Sequence, residues 1–268
     1  MGLPVLSPNR LAMRFITALV SCLLLPFGLP VTVAHAAPEE IQVYLDDKED
    51  PGHVSVDLHN NDVLLGRKTA DYPGERPPDH VYRLTPEFNF GLTDTLEAGA
   101  YLLTSMPATG DAVVDGAKLR LKYIARHDPT AGSFWGLNLE MGRTRIADSQ
   151  EPWNGELKGI LGWRNLAWTL GGNLNVDAAL SRHDDAATAD IDVKAARRIS
   201  DNTSIGLESY NELGPLRHLE PLDRGSKILF AALDTVIAGH DLNLGVGRGL
   251  TRDADRWVIK AIVNFRLW

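Results

Sequence analysis

The sequence predicts an all-β fold: a single transmembrane antiparallel β-barrel of about twelve strands in an up-and-down meander. Three observations support this. Stretches of alternating apolar and polar residues recur along the chain, the connections between them are alternately short and long, and an apolar leader precedes them all. This combination is typical of barrels in the bacterial outer membrane.

The alternation is clearest in the hairpin around residue 93. From Thr95 onwards, Leu96 and Leu102 share one face, while Glu97 and Tyr101 share the other. Residues 81–92 alternate in the same way, and only Thr93-Asp94 separates the two stretches, which predicts a tight turn.

The same pattern predicts about twelve strands, an even number, as bacterial barrels require. Their lengths suit strands of about 9 to 11 residues that cross the hydrocarbon layer at a tilt. The candidates are 53–65, 80–92, 95–106, 117–126, 134–146, 155–164, 167–181, 188–199, 203–213, 227–239, 242–251 and 256–268.

The connections fall into two sets. Those near 93, 130, 165, 201 and 240 are mostly short, whereas those near 72, 111, 150, 184, 220 and 253 tend to be longer. Strict alternation assigns the short set and both termini to the periplasm, and the long set to the outside. A soluble β-sandwich would also alternate, but it would not readily explain this parity or the export signal.

The leader has the features of a secretory signal peptide. Arg10 and Arg14 precede an apolar run from Phe15 to Val33, and Ala34-His35-Ala36 offers a cleavage site after Ala36. Cys22 also fits a lipoprotein signal, although apolar leucines follow it where a polar mature end would be expected. We therefore expect three parts: a signal peptide at 1–36, an acidic periplasmic segment at 37–52 and the barrel at 53–268.

Cleavage would change the composition in two ways. It would remove the single cysteine, so the exported chain could form no disulfide. It would also remove two arginines and no acid, taking the formal net charge from −8 to −10. Such an acidic chain is a poor candidate for binding nucleic acid. Residues 39–50 remain unassigned by the pattern, which leaves open a periplasmic tail, an extra strand or a plug of the lumen.

Aromatic residues add support at the strand ends. Trp135, Trp163, Trp168, Trp257 and Trp268 fall near predicted ends, where amphipathic rings lie at the lipid headgroups. The last stretch, Trp257-Val-Ile-Lys-Ala-Ile-Val-Asn-Phe-Arg-Leu-Trp268, resembles the C-terminal signal of Gram-negative outer-membrane proteins. That resemblance implies that the barrel-assembly machinery is a partner during biogenesis.

Three further motifs resemble a family of proteobacterial outer-membrane proteins without an assigned function. They are Tyr82-Arg-Leu-Thr-Pro-Glu-Phe, Gly91-Leu-Thr-Asp-Thr-Leu-Glu and Tyr210-Asn-Glu-Leu-Gly-Pro-Leu. The resemblance covers most of the predicted mature chain. It implies the barrel fold and the outer-membrane location, and it transfers no site.

If the apolar faces meet lipid, the opposite faces line the lumen. The predicted lining charges are Arg83, Glu87, Glu97, Lys118, Arg120, Lys122, Glu140, Glu156, Lys158, Asp192, Lys194, Glu208, Glu212 and Asp234. Lys118, Arg120 and Lys122 form a basic ladder on one strand. Two interpretations stay open: a narrow channel for small solutes with charge selectivity, or a closed barrel whose charges pair into a structural network.

An enzyme is the third class. His53, Ser55, Asp57 and His59 share one face of the first strand at intervals of about 6.6 Å. The His-x-Ser pair resembles the outer-membrane phospholipase, which is also a twelve-stranded barrel, but there the catalytic residues face lipid and here the row is predicted to face the lumen. We therefore expect a channel or passive transporter without catalytic residues, with outer-membrane lipid and small solutes as partners.

No metal or other cofactor is expected. His53 and His59 lie about 20 Å apart on an extended strand, too far to share one ion. His183-Asp184-Asp185 is predicted to be a solvated loop tip rather than a metal site. Gly245-x-Gly-Arg-Gly249 lacks the strand-turn-helix context of a dinucleotide site and predicts instead a place where a strand bends or a neighbour packs closely.

Overall fold

The computed structural model describes residues 40–180, 187–221 and 223–267 and shows a closed barrel of twelve antiparallel strands in meander order. Each strand pairs with its chain neighbours, and β1 pairs with β12 to close the sheet. The strands are β1 Val54–Leu65, β2 Tyr82–Gly91, β3 Leu96–Met106, β4 Val113–Ile124, β5 Gly132–Thr144, β6 Trp153–Arg164, β7 Trp168–Ala179, β8 Thr188–Ser200, β9 Thr203–Pro215, β10 Lys227–Ile237, β11 His240–Gly249 and β12 Trp257–Arg266.

The predicted fold class and strand number are confirmed. The largest error in a boundary is at β4, which begins at Val113 rather than at residue 117. The register with β3 shifts here, because Leu103 pairs with Gly116 and Thr104 with Val114. This bulge breaks the alternation and hides the first residues of the strand from a period-two pattern.

The two sets of connections lie at opposite ends of the barrel, as antiparallel pairing requires. We call them the tight-turn end and the long-loop end. At the tight-turn end, Ala238 and Gly239 join β10 to β11 with φ angles of 53° and 82°. Two consecutive positive φ angles match the turn geometry that suits the twist of paired strands.

The outer surface of the barrel is apolar and the inside is polar. On β5, Trp135, Leu137 and Leu139 are about half exposed, while Asn138 and Glu140 are buried. Soluble proteins rarely expose such a continuous apolar belt, so this surface fits a lipid environment. No helix among the described residues is long and apolar enough to cross a membrane.

The inner face is not polar throughout. Near the long-loop end, Val63, Ile228, Phe230 and Val258 form a buried apolar cluster inside the barrel. Phe230 explains the glycine motif on β11, because a Cβ atom on Gly247 would lie 2.5 Å from Cζ of its ring. The close packing predicted at these glycines is confirmed.

The leader, with its cleavage site, lies outside the described residues, as do the 183–185 loop tip and Trp268. Of the other four tryptophans placed near strand ends, Trp168 and Trp257 each begin a strand, and Trp163 precedes the last residue of β6. Trp135 is the fourth residue of β5.

Candidate functional site

The candidate site is the lumen, and the structure places most of the predicted lining charges in its interior. Ten of the fourteen are buried: Arg83, Glu87, Glu97, Arg120, Lys122, Glu140, Lys158, Asp192, Lys194 and Glu208. The other four, Lys118, Glu156, Glu212 and Asp234, are partly buried. Because the outside of the strands is apolar, these charges are enclosed by the barrel wall.

The basic ladder on β4 is paired with acids from β2 and β3. Arg120 Nη1 lies 2.8 Å from Glu87 Oε1, and Arg120 also forms an ion pair with Glu97. Lys122 Nζ lies 2.8 Å from Glu97 Oε1. Arg120 and Lys122 are therefore neutralised within the wall.

A second network crosses the opposite side of the barrel. Lys194 Nζ lies 3.0 Å from Glu208 Oε1 and 2.7 Å from Asp234 Oδ1. Lys260 also forms an ion pair with Glu208 and is fully buried. Sequence reasoning missed Lys260, because Val258 and Ile262 on the same face make the inner side of β12 look apolar.

The remaining predicted charges have different surroundings. Lys158 Nζ lies 3.1 Å from Glu156 Oε1, and Asp192 accepts a hydrogen bond of 2.8 Å from Asn175. Glu140 accepts a hydrogen bond of 2.8 Å from Asn138. Arg83 and Glu212 instead contact the connections at the long-loop end, through Asp148 and the backbone N–H of Ser226.

The lumen also contains residues 40–50, which we call the lumen segment. It forms no strand, and Ile41, Val43 and Tyr44 are each at most 4% exposed. Gly52 N donates to Gly91 O at the tight-turn end, whereas Ile41 packs in the apolar cluster near the long-loop end. Of the three arrangements that the sequence left open, the described residues have that of a plug.

Tyr44 is the most heavily contacted residue of the lumen segment. Its backbone N–H donates to Asn173 Oδ1 at 2.7 Å, and Asn173 Nδ2 donates to its carbonyl at 2.9 Å. Its hydroxyl lies 2.9 Å from the hydroxyl of Tyr101. Lys158 Nζ lies 4.4 Å from the centre of its ring, a distance suited to cation–π attraction. Directional polar contacts therefore fix this residue in the lumen.

Asp46 anchors the lumen segment at the tight-turn end. It forms an ion pair with Arg164, and its Oδ2 atom lies 2.6 Å from His127 Nε2. His127 Nδ1 lies 2.8 Å from the carbonyl of Ala125, so both ring nitrogens face acceptors.

A cluster of one histidine and two carboxylates joins the lumen segment to the wall. Ligand atoms of Glu40, His59 and Glu87 lie within 4.8 Å of one another, close enough in principle for a metal ion. Each carboxylate already has a donor, because Tyr44 OH donates to Glu40 and Arg120 pairs with Glu87. The guanidinium also repels a cation, so the cluster reads as a hydrogen-bonded anchor of the lumen segment.

Of the predicted polar row, Ser55, Asp57 and His59 lie on β1 and face inwards, whereas His53 precedes the strand and is exposed. Ser55 and His59 are fully buried, and Ser55 Oγ accepts a weak hydrogen bond of 3.4 Å from Asn89 Nδ2. His59 Nε2 lies 3.0 Å from Glu87 Oε2. Both side chains therefore belong to the lumen network and are shielded from lipid.

A polar chamber of about 550 Å³ remains beside the lumen segment. Lys194 and Glu208, near the middles of β8 and β9, line this chamber. Lys122, Arg164 and Asp201 line it nearer the tight-turn end. The plugged barrel therefore keeps a hydrophilic cavity at that end, bordered by charges of both signs.

At the long-loop end of the barrel, the β1–β2 connection, residues 66–81, is held by ion pairs and hydrogen bonds to its neighbours. Arg76 reaches its neighbours, with Nη2 at 2.8 Å from Asp115 Oδ1 and 2.7 Å from Asp148 Oδ2. On the other side, Arg67 N donates to Asp255 Oδ1 at 3.1 Å. Burial raises the pKa of Asp148, although hydrogen bonding from Arg76 and the charge of Arg83 oppose this shift. The connection is thus tied to loops on both sides.

Comparison with known proteins gives the fold but no family. No protein-family model matches the chain, and no curated protein matches it. Among solved structures, it is similar to an outer-membrane channel from Pseudomonas putida F1, with 9% identity and a TM-score of 0.56 over 85% of this chain and 100% of that one. It is also similar to the NanC porin, with 11% identity and a TM-score of 0.52 over 80% of this chain and 100% of that one.

Proposed function

We propose that this protein is a small outer-membrane channel that its own N-terminal segment holds closed. The observation that carries the proposal is the lumen segment, a stretch of chain that fills a polar barrel and is held largely by hydrogen bonds and ion pairs. Such contacts can exchange with water, so the segment can leave without unfolding the wall. Small polar solutes would then diffuse through the barrel.

The dimensions of the wall support a channel. A barrel that serves only as a scaffold can fill its lumen with wall side chains alone. Here the wall leaves space for a segment of the chain and for a further chamber of about 550 Å³. Two structurally similar proteins with TM-scores above 0.5 are themselves a channel and a porin.

A closed barrel with a structural or surface-interaction role is the second candidate, and the paired charges favour it. Arg120 and Lys194 each contact two acids in the wall, and networks of this kind also stabilise a barrel that never opens. The two candidates differ in one property, which is conduction after the lumen segment is released.

The proposed channel lies in the outer membrane, to which the chain is exported. The apolar outer belt and the fold support insertion in an outer membrane, after cleavage of the predicted leader and assembly by the barrel-assembly machinery. We also propose that the chain is not an enzyme, because Ser55 contacts Asn89 and both Ser55 and His59 are shielded from lipid. An assay for acyl hydrolysis on phospholipid vesicles should therefore show no activity.

Conductance in a planar lipid bilayer tests the channel. The complete mature chain should show rare, brief openings, whereas a variant lacking residues 41–48 should conduct steadily. Tyr44→Ala should lie between them, and Tyr123→Ala, which alters a ring packed 5.6 Å from Trp135, is the matched control. Anomalous migration of unheated protein on SDS gels verifies that each variant is folded. A folded deletion variant that never conducts would leave the closed barrel as the function.

A further inference from the structure

The contacts of Asp46 describe a binding site as well as an anchor. Arg164 and His127 both approach its carboxylate, and Arg164 also lines the chamber at the tight-turn end. Both basic side chains pack on the buried ring of Phe134, with Arg164 Cζ 5.3 Å and the centre of the His127 ring 5.8 Å from its centre. Arg164 and His127 are therefore held in fixed positions around one anionic group.

The site has a hydrogen-bond donor that its occupant does not use. Arg198 lines the same chamber as Arg164. Arg164 Nε–H is buried and has no acceptor among the described residues. A guanidinium group can bind a carboxylate through two parallel hydrogen bonds, and this one has a donor left over.

The occupant belongs to a strongly acidic stretch. The lumen segment, Glu40 to Asp50, contains five acids and one lysine, a formal net charge of −4. It runs from the tight-turn end toward the long-loop end, along the route that a solute would follow. An acidic chain thus occupies this path, and at the tight-turn end one of its acids is held by Arg164.

We infer that Arg164 and His127, with Arg198 beside them, form a binding site for carboxylate-bearing solutes, and that Asp46 occupies it as an internal substitute in the closed barrel. A free carboxylate that enters from the tight-turn end competes with Asp46 and loosens the lumen segment. The site is a property of the wall. Its use in selecting transported anions rests on the proposed function.

The test measures movement of the lumen segment in the complete mature chain and needs no conduction. A spin label is attached to Lys48→Cys, because Lys48 is only partly buried and its ammonium group donates to the neighbouring backbone carbonyl of Glu49. Citrate is then titrated in detergent micelles against sodium chloride of the same ionic strength. Citrate should raise the ratio of mobile to immobile label about tenfold, as expected when one charge-assisted hydrogen bond is exchanged.

Three variants define the site. Arg164→Gln and Asp46→Asn should each give a mobile label without citrate, and combining them should add little, because both remove the same interaction. Arg126→Gln is the matched control, since Arg126 pairs with Asp94 on the exposed surface and its side chain is 78% exposed. It should behave as the unaltered chain does.

The outcomes separate this inference from the proposed function. Equal mobility in citrate and in matched chloride would overturn the anion site, even if the deletion variant conducts. A citrate response in a barrel that never conducts would support the site and overturn the channel. If Arg164→Gln fails to fold, the citrate titration of the otherwise unaltered chain still decides between site and no site.

Discussion

Tyr44 and Asn173 are bonded to each other in both directions, with Tyr44 N donating to Asn173 Oδ1 at 2.7 Å and Asn173 Nδ2 donating to Tyr44 O at 2.9 Å. The Asn173 amide thus forms hydrogen bonds with both the N–H and the C=O of Tyr44, as a neighbouring strand would. Both residues are buried, so water reaches neither bond while the lumen segment is in place. The pair holds the lumen segment by its backbone, through a side chain of the wall.

Replacing Asn173 with alanine should make the closed barrel open more often. Each lost hydrogen bond contributes about 1 kcal/mol, so the two together shift the ratio of closed to open states about thirtyfold. Single-channel recording measures this ratio directly. Asn154→Ala is the control, because the Asn154 amide bonds Thr144 in the wall. An unchanged opening frequency in Asn173→Ala would mean that this contact does not hold the lumen segment.

The Tyr44–Asn173 pair also shows where sequence reasoning stops. The outer half of each strand repeats with period two, so the apolar belt, the strand number and the parity of the connections follow from local pattern. Tyr44 and Asn173 are 129 positions apart, and nothing local connects them. The stretch from Ile41 to Leu45 is apolar enough for a strand and short enough for a tail. Its place in the lumen depends on contacts with several strands at once.

Lys260, Arg164 and His127 also could not be predicted from local sequence pattern. The inner face of β12 mixes Lys260 with Val258 and Ile262, so no polar stripe marks it. Arg164 ends its strand, and His127 lies in a connection, so neither belongs to a clear alternation. The role of Arg164 and His127 is visible only in the closed barrel, where both contact Asp46.

A reversible cross-link should lock the barrel shut. A Cβ atom on Gly171 would lie 3.7 Å from Leu45 Cγ, so cysteines at both positions bring their thiols close together. The oxidised double variant should not conduct, and reduction should restore openings. Each single cysteine variant serves as a control, since it should ignore oxidation. Equal conductance before and after reduction would show that the lumen segment does not gate the barrel.

Glu208→Gln should destabilise the barrel strongly. Its carboxylate is buried and accepts from Lys194, Lys260 and Tyr210, so the neutral amide leaves two buried lysines poorly compensated. Breaking one partner of a buried pair typically costs about 3 to 5 kcal/mol. The midpoint of unfolding in urea, measured in lipid vesicles, should fall accordingly.

The control for this variant is an exposed ion pair at the tight-turn end. Asp94 lies 2.8 Å from Arg126, and its side chain is 64% exposed. Because water and salt screen such a pair, Asp94→Asn should leave the midpoint nearly unchanged. Equal effects of the two variants would mean that the Glu208 network does not support the wall.

Gly247→Ala should destabilise the barrel through contact with one ring. The added methyl would lie 2.5 Å from Phe230 Cζ, and Phe230 is fully buried against Tyr210, so the ring has little space to retreat. Overpacking of this kind costs about 1 to 3 kcal/mol. Gly159→Ala is the matched control, because its methyl would meet only Leu174 O, at 3.8 Å.

Removing the Phe230 ring tests why Gly247→Ala loses stability. Phe230→Ala alone leaves a cavity in the apolar cluster and should cost about 3 to 5 kcal/mol. Combined with Gly247→Ala it should cost less than the two separate losses together, because the alanine methyl then occupies part of the vacated space. Strictly additive losses in urea unfolding would show that Gly247 is required for its backbone rather than for the packing of Phe230.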